Sequence, residues 1–203
     1  MIRRTVLAAT LALAVCAAAV PVQAAAAVGQ PAPDFTLVDS QGQKHTLSSL
    51  KGNTVVLEWI NYDCPFVQKH YRSGNMPKLQ KEYIGKGVVW LAVNSSSVGK
   101  QGHFAPAEIQ ARSQKEGFAA SAYLIDTDGT VGRAYGAKTT PHIYVIDAKG
   151  TLVYAGGIDD KPSTDVADIA TAKNFARAAL DETLAGKAVT TTSSQPYGCS
   201  VKY

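Results

Sequence analysis

The sequence has few cysteines, no internal repeats and no large excess of charge. Its three cysteines, at positions 16, 64 and 199, are too far apart for a CxxC motif, so a local dithiol site is excluded. The formal net charge is +4 over 203 residues, and it falls to +2 if Arg3 and Arg4 are removed with the N-terminal segment. This near-neutral balance gives no indication of a nucleic-acid partner.

One long apolar run is present at residues 5–20, directly after Arg3 and Arg4. A charged start, an apolar stretch and the small residues around positions 22–24 are typical of a secretory signal peptide cleaved after Ala24. The run is too short and too rich in alanine to predict a membrane span. We therefore expect a periplasmic or secreted protein without a stable membrane span after cleavage.

Two other interpretations of this segment stay open. The paired arginines suggest export by the twin-arginine route, although the residues around them fit that route poorly. Residues 13–16 end in Cys16 and weakly resemble a lipoprotein box, although Val15 is larger than the residue that such boxes carry before the cysteine. Lipidation of Cys16 is therefore a second hypothesis for this end of the chain.

Cleavage after Ala24 leaves enough chain for one domain with a proper core. We predict a signal peptide at residues 1–24, a domain at residues 25–187 and a C-terminal tail at residues 188–203. The tail carries Cys199. If Cys16 leaves with the signal peptide, two cysteines remain in an exported protein, and they can form one disulfide.

Cys64 lies between a predicted strand and a predicted helix. Residues 54–60 are apolar and β-branched, which predicts a buried strand, and Asn61 and Asp63 are turn or N-cap residues. Pro65 suits the first helical position, where its missing N–H costs nothing. A thiol here faces unpaired N–H groups and the positive end of a helix dipole, which favour the reactive thiolate. The alternative is a buried, inert cysteine.

The apolar pattern alternates strands and helices in the order β-α-β-α-β-(α)-β-β-α, which predicts an α/β layered domain. The early strands need crossover helices and should be parallel, whereas residues 142–147 and 152–156 should form an antiparallel hairpin. Gly74 and Pro77 are expected to interrupt the first helix. Residues 164–184 predict one long amphipathic helix.

Several features together resemble the thioredoxin fold in its redoxin branch, which includes AhpC/TSA-like peroxiredoxins and thiol–disulfide oxidoreductases. A cysteine follows the central strand and opens a helix, and residues 139–141 (Thr-Thr-Pro) precede a later strand as the cis-proline loop of this fold does. The opening residues 29–37 and the hairpin at 143–156 are also typical of redoxins. The resemblance covers residues 28–184. It implies a central mixed sheet flanked by helices, an N-terminal extension with an edge strand, and a C-terminal tail.

The sequence departs from both chemistries of this branch. Thioredoxin-type enzymes carry CxxC, and the place of the second cysteine is here taken by Val67. Peroxiredoxins carry Pro-x-x-x-Thr-x-x-Cys, and the places of the proline and threonine are here taken by Leu57 and Asn61. The residues that would orient and polarise a peroxide are therefore missing.

The resemblance makes Cys64 the candidate nucleophile and draws attention to Glu58. This acid lies six residues earlier in the central strand, at a spacing where a buried acid helps to move protons at the thiols of thioredoxins. Alternation along the strand places Glu58 on the same side as Ile60. A buried carboxylate has a raised pKa and is a plausible proton acceptor. The alternative is a glutamate that faces solvent.

The expected substrate-binding residues are Pro65, Thr140, Pro141 and His142. The resemblance implies that Pro141 follows a cis peptide and shapes the substrate groove. It also implies that the backbone of Thr140 pairs with the extended chain of a partner. His142 either tunes the thiol or packs in the core. His70, in the helix that follows Cys64, is expected to pack or to lie on the surface.

Cys199 lies in a tail that also contains Tyr197, Val201 and Tyr203, and these residues predict that the tail docks on the domain. We expect docking to bring Cys199 close to Cys64, as a resolving or a structural partner. Pairing with another molecule is the alternative. A disulfide requires Cα atoms within about 7 Å, and closing so long a loop would stabilise the fold by about 4–5 kcal/mol.

The leading hypothesis is an exported thiol–disulfide oxidoreductase in which Cys64 attacks and Cys199 resolves. The second is a thiol peroxidase in which Cys64 forms a sulfenic acid that Cys199 resolves. The third is a Cu(I) site made by Cys64, His142 and Cys199, and the fourth is a redoxin-fold protein that only binds a partner. The leading hypothesis requires no cofactor and no metal. Its partners are protein or small-molecule thiols and disulfides, with peroxide in the second hypothesis, and no nucleic acid.

Overall fold

The computed structural model describes residues 26–203, and the predicted signal peptide with Cys16 lies outside the described residues. The strands are β1 (Thr36–Asp39), β2 (Lys44–Thr46), β3 (Val55–Trp59), β4 (Val89–Asn94), β5 (Ala122–Ile125), β6 (Thr139–Thr140), β7 (His142–Ile146), β8 (Leu152–Gly156) and β9 (Cys199–Ser200). The helices are α1 (Pro65–Arg72), α2 (Asn75–Ile84), α3 (Pro106–Lys115), α4 (Thr130–Tyr135) and α5 (Phe175–Leu184), with 3₁₀ turns at Leu47–Leu50 and Val166–Thr171.

Seven of the strands form one mixed sheet in the order β2-β1-β5-β4-β3-β7-β8. Strands β3, β4 and β5 are parallel, and β7 and β8 form an antiparallel hairpin, so both predictions are confirmed. The first strand was expected at an edge of the sheet, which is wrong. Strand β2 pairs with its outer side, so β1 lies between β2 and β5. The predicted thioredoxin-like architecture, a mixed sheet flanked by helices, is confirmed.

Strand β3 lies near the centre of this sheet, and all of its residues are buried. Val55 and Trp59 face one apolar core, which α4 covers. Val56 and Ile60 face the other core, which lies beneath α1, α2 and α5. A strand buried on both faces has a nearly continuous apolar sequence. Glu58 interrupts that sequence on the side of Val56 and Ile60, where a charged residue needs partners.

The helix that follows Cys64 is in two pieces, as predicted, but Pro77 lies within the second piece and only Gly74 marks the break. Helix α1 ends at Arg72, and α2 begins at Asn75 after Gly74, whose φ of 74° is left-handed and suits glycine. The two helices pack against each other and cover the same face of the sheet. Among residues 26–203, no helix combines the length and apolar composition needed to cross a membrane.

The long helix predicted at residues 164–184 is wrong. Val166–Thr171 forms a 3₁₀ turn, and α5 begins only after Asn174, whose side chain accepts a hydrogen bond from the first turn of that helix. The chain between them is held extended by Asp160. Its backbone N–H donates to the Lys173 carbonyl, and its carboxylate accepts from the Lys173 N–H. The apolar pattern of residues 164–184 cannot predict this pairing, because Asp160 lies outside the segment.

The C-terminal tail folds back across the domain. It first runs beside β8, where the backbone N–H of Ala155 donates to the carbonyl of Thr192. It then forms β9, which pairs antiparallel with β6 in a separate two-stranded sheet. At its end the hydroxyl of Tyr203 donates to the carbonyl of Ala137 at 2.8 Å. The tail therefore docks on the domain, as its apolar residues predict.

Candidate active site

Cys64 is the N-cap residue of α1 and directly follows β3 and its turn. Its side chain is fully buried, and its Sγ donates to the carbonyl oxygen of Thr140 at 3.0 Å. The thiol does not face the free N–H groups of its own helix, so the prediction from its place at the helix start is wrong. The side chain makes no capping hydrogen bond to α1, because the thiol points to the loop that precedes Pro141.

The turn before Cys64 is held by Asn61 and Asp63. The Oδ1 of Asn61 accepts from the Asp63 N–H at 2.9 Å, and the Asn61 carbonyl accepts from the Cys64 N–H at 3.0 Å. The Asp63 carboxylate binds the guanidinium of Arg112 at 2.7 Å. Gly102 lies directly on the Asn61 side chain, which a Cβ at that position would overlap. These contacts fix the turn from two sides and with it the start of α1.

The loop that faces Cys64 contains the cis peptide bond between Thr140 and Pro141, as the resemblance implies. The Thr140 carbonyl accepts the hydrogen bond from Cys64. In the two-stranded sheet, Thr140 is the register partner of Cys199 and Thr139 that of Ser200. The extended chain that pairs with Thr140 in this structure is therefore the protein's own tail.

Cys199 contacts Cys64 from the side of the tail. Its backbone N–H donates to the Cys64 Sγ at 3.4 Å, and both cysteines are free thiols. Burial and, after it, the neighbouring Cys64 sulfur raise the pKa of Cys199 to about 11. At neutral pH, the Cys199 thiol is therefore protonated.

Glu58 is fully buried, so the alternative of a solvent-facing glutamate is wrong. Three side chains donate to its carboxylate: the Tyr71 hydroxyl at 2.8 Å, Gln80 Nε2 at 2.9 Å and Trp90 Nε1 at 2.8 Å. Burial raises the pKa of Glu58 to about 7, and these hydrogen bonds limit the rise. This carboxyl group can take up or release a proton near neutral pH, and Tyr71 connects it to the helix that begins at Cys64.

Two other predicted site residues lie in contrasting surroundings. Pro65 is exposed at the first position of α1. His142 is buried in β7, where its Nδ1 accepts from the backbone N–H of Lys138 at 3.3 Å and lies 3.2 Å from the Tyr144 hydroxyl. Burial lowers the pKa of His142 to about 4, so the imidazole is neutral at pH 7. These contacts support the packing interpretation of His142.

Within residues 26–203, no group of three or more histidine, cysteine, aspartate or glutamate side chains is placed to hold a metal ion. The copper site hypothesised from Cys64, His142 and Cys199 is therefore not assembled, and that hypothesis is wrong for this structure. The backbone N–H of Cys199 reaches the Cys64 sulfur, but His142 accepts a hydrogen bond from the backbone N–H of Lys138 instead.

One group near the thiols was missed by the sequence analysis. His70, Tyr197 and Asp159 form a buried cluster where α1, the tail and the loop after β8 meet. His70 does pack, as one of its two interpretations held, but its hydrogen bonds to the tail were not foreseen. The three residues are far apart in the chain, and no local motif joins them. The aromatic residues of the tail were the only signal available.

Comparison with known proteins agrees with the fold and the position of the cysteine. A profile of the AhpC/TSA family matches residues 28–155, and the chain belongs to this family. The matched part contains Cys64, Glu58 and the loop with Pro141. Cys199 and the tail lie beyond it.

The chain is similar to proteins of the thioredoxin class. It is 32% identical over 145 residues to the thioredoxin-like protein YneN of Bacillus subtilis (strain 168), covering 70% of this chain and 79% of that protein. It is 31% identical over 129 residues to the thiol-disulfide oxidoreductase ResA of Geobacillus thermodenitrificans (strain NG80-2), covering 63% and 68%. A solved structure of a hypothetical protein from Sinorhizobium meliloti 1021 matches with a TM-score of 0.73 at 30% identity, covering 87% of this chain and 94% of the other.

Proposed function

We propose that this protein is an exported thiol–disulfide oxidoreductase in which Cys64 is the nucleophile and Cys199 is the resolving thiol. The observation that carries the proposal is the contact between the two residues, with the Cys199 N–H 3.4 Å from the Cys64 sulfur and both thiols free. Similarity to ResA, which is named as a thiol-disulfide oxidoreductase, supports the reaction class.

In the first step, the Cys64 thiolate attacks one sulfur of a partner's disulfide. The partner's S–S bond breaks, a mixed disulfide with Cys64 forms, and the other partner sulfur leaves as a thiolate. The Thr140 carbonyl accepts a hydrogen bond from the neutral thiol. That bond is lost on ionisation, whereas the N–H of Cys199 continues to donate to the sulfur.

In the second step, the Cys199 thiolate attacks the Cys64 sulfur and releases the remaining partner sulfur as a thiolate. The partner's disulfide has then been reduced, and Cys64 and Cys199 have been oxidised to one disulfide. A dithiol electron donor returns both to thiols. The Cys64 sulfur contributes to the raised pKa of Cys199, and this contribution ends when Cys64 enters a mixed disulfide. Deprotonation of Cys199 therefore becomes easier at the step that needs it.

Glu58 is the proton acceptor of this proposal, supported by its burial and its pKa of about 7. Pro65, Thr140, Pro141 and His142 remain the proposed substrate-binding residues. Thr140 has the strongest support among them, because its backbone already pairs with an extended strand. Pro65 is exposed beside Cys64 and can contact a substrate directly. His142 is buried, so its proposed contribution to substrate binding is indirect.

Export is proposed from the predicted signal peptide, which lies outside the described residues. A periplasmic or extracellular location is oxidising, and disulfides form and persist there. The partners in such a location are proteins or small molecules that carry thiols or disulfides.

The test is a redox titration of residues 25–203 in glutathione buffers, with differential alkylation and peptide mapping by mass spectrometry. A Cys64–Cys199 bond that opens between about −120 and −270 mV, the range of thiol–disulfide oxidoreductases, would support the proposal. A bond that persists well below about −300 mV would be structural, and the proposal would fail. It would also fail if no bond forms between the two residues. Cys199→Ser is the control, in which this bond is impossible.

A thiol peroxidase is the second candidate, and the complete burial of Cys64 favours it because a small oxidant enters more easily than a protein disulfide. The thiolate would attack the peroxide, the O–O bond would break, and water or an alcohol would leave as Cys64 becomes a sulfenic acid. Cys199 would then condense with it and release water. Leu57 and Asn61, which replace the peroxidase residues, count against this reaction. Fast peroxide-dependent trapping of a sulfenic acid in Cys199→Ser would favour it.

A further inference from the structure

Beside the two thiols lies a buried polar cluster that the proposed reaction does not use. The hydroxyl of Tyr197 donates to the Asp159 carboxylate at 2.5 Å and lies 3.1 Å from His70 Nε2. His70 and Asp159 are almost completely inaccessible, and Tyr197 is only 9% exposed. Polar groups at this depth are retained only when they are satisfied by partners.

The hydrogen bonds of the cluster run in one direction. The Nδ2 of Asn75 can only donate, so His70 Nδ1, 2.8 Å away, accepts. His70 Nε2 then carries the proton and donates to Tyr197, which in turn donates to Asp159. Burial lowers the pKa of His70 to about 4, in agreement with a neutral ring. Asp159 also accepts from the backbone N–H of Lys161 at 2.9 Å.

The cluster connects the two segments that carry the thiols. His70 lies on α1, whose N-cap is Cys64, and Tyr197 precedes Cys199 by two residues. The ring of Phe66, also on α1, packs edge-on against Tyr197 with centroids 5.9 Å apart. The position of the tail relative to the Cys64 helix is therefore defined immediately before Cys199.

We propose that Tyr197, held by His70 and Asp159, is a positioning residue that holds Cys199 against Cys64 for the resolving step. This inference rests on the proposed function. A thiol on a loosely attached tail meets Cys64 at a low effective concentration, whereas a tail that is fixed two residues before Cys199 already holds that thiol in place for attack. The hydroxyl of Tyr197 is engaged by His70 and Asp159 and not by either sulfur, so it acts through the position of Cys199.

The experiment uses Tyr197→Phe, which removes one hydroxyl and keeps the ring against Phe66. Glutathione disulfide is the probe, and formation and loss of the Cys64–glutathione mixed disulfide are followed by rapid acid quench and mass spectrometry. We expect attack by Cys64 to be unchanged or faster, because the tail covers Cys64 less firmly. Resolution by Cys199 should slow about tenfold. The equilibrium constant for the Cys64–Cys199 disulfide should fall by a similar factor, which is about 30 mV for two electrons.

Tyr135→Phe is the matched control, because its buried hydroxyl donates to the Pro33 carbonyl away from the tail. It should leave both steps unchanged. Asp159→Asn keeps an acceptor for Tyr197 and should slow resolution less than Tyr197→Phe does. If Tyr197→Phe does not fold, the rate at which Asp159→Asn resolves the mixed disulfide tests the inference instead.

Two outcomes would overturn the inference in distinguishable ways. If wild type forms a reversible Cys64–Cys199 bond and both Tyr197→Phe and Asp159→Asn resolve the mixed disulfide at the wild-type rate, Tyr197 does not position Cys199. The proposed function would then stand without it. If wild type never forms the bond, the proposed function and the inference fail together.

Discussion

Gly198 lies so close to Thr140 that a Cβ at position 198 would overlap the Thr140 carbonyl oxygen. The φ of Gly198 is 133°, in a region that residues with side chains rarely adopt. The same carbonyl accepts the hydrogen bond from Cys64, so this contact fixes the tail directly over the thiol. A partner strand that paired with Thr140 would have to take the place of the tail.

Gly198→Ala is therefore expected to release the tail and expose Cys64. Steric overlap and backbone strain of this kind cost about 1–3 kcal/mol, and each 1.4 kcal/mol changes an equilibrium tenfold. We expect alkylation of Cys64 by iodoacetamide to accelerate about tenfold or more. The measurement is made in a Cys199→Ser background, so that Cys64 is the thiol that reacts.

Gly186→Ala is the control for this change, because Gly186 has a φ of 68° but no atom within 4 Å of its Cβ position. An alanine there carries backbone strain, but its Cβ meets no atom of the tail, so it should leave the alkylation rate of Cys64 unchanged. Equal rates in Gly198→Ala and in the parent would mean that the tail does not cover Cys64 in solution.

Glu58 is expected to make the protein less stable as the pH rises from about 4.5 to 7. Its pKa rises from 4.5, the ordinary value, to about 7 in the fold. The fold therefore binds its proton more tightly than the unfolded chain does. The free energy of unfolding is therefore not reduced below pH 4.5, and it falls by about 3 kcal/mol as the pH rises from 4.5 to 7. Glu58→Gln should remove this fall, and urea unfolding at pH 4.5, 6 and 7.5 would measure the difference.

The geometry favours glutamine as the replacement. Gln80 and Trp90 both donate to Oε2 of Glu58, so one amide oxygen can accept both hydrogen bonds. Glu82→Gln is the control, because pairing with Arg177 lowers the pKa of Glu82 to about 2. Glu82 is ionised in both the folded and the unfolded chain above pH 5. The difference in the free energy of unfolding between Glu82→Gln and wild type should therefore not depend on pH there. If the difference in the free energy of unfolding between Glu58→Gln and wild type were also independent of pH, this would contradict the raised pKa of Glu58.

The junction that carries Cys64 could be predicted from the sequence because it depends on local features. An apolar β-branched run, turn residues and a proline at the first helical position are adjacent in the chain, and each favours the same structure. Alternation along one strand placed Glu58 on the side of Ile60 but left its burial as one of two alternatives. The docking of the tail followed from apolar residues in a segment that would otherwise have no use for them.

The features that could not be predicted depend on contacts between distant residues. The break before α5 depends on the pairing of Lys173 with Asp160, and the direction of the Cys64 thiol depends on Thr140. The cluster of His70 and Tyr197 joins residues more than a hundred positions apart. Propensity and periodicity describe one segment at a time, so tertiary hydrogen bonds of this kind override them without a local trace.

His142 provides a test of whether the histidine next to the cis-proline loop tunes the thiol or only packs. Its Nδ1 is engaged by the Lys138 N–H, and its pKa of about 4 leaves the ring neutral at pH 7. A neutral ring without a hydrogen bond to Cys64 should not affect ionisation of that thiol. In the Cys199→Ser background, His142→Asn should therefore leave the pH profile of Cys64 alkylation unchanged above pH 5.

The same histidine should act on stability in acid, with a sign that follows from its lowered pKa. The unfolded chain binds a proton at this residue near pH 6.5, whereas the fold binds it only near pH 4. Stability is therefore lost as the pH falls from 6.5 to 4, by about 3 kcal/mol. Asparagine keeps a polar group near the position of Nδ1 but cannot titrate. His142→Asn should lose less stability than wild type between pH 7 and 4.5 in urea unfolding. Equal losses of stability in His142→Asn and wild type, or an altered pH profile of Cys64 alkylation above pH 5, would contradict a packing role. They would favour the interpretation in which His142 tunes the Cys64 thiol.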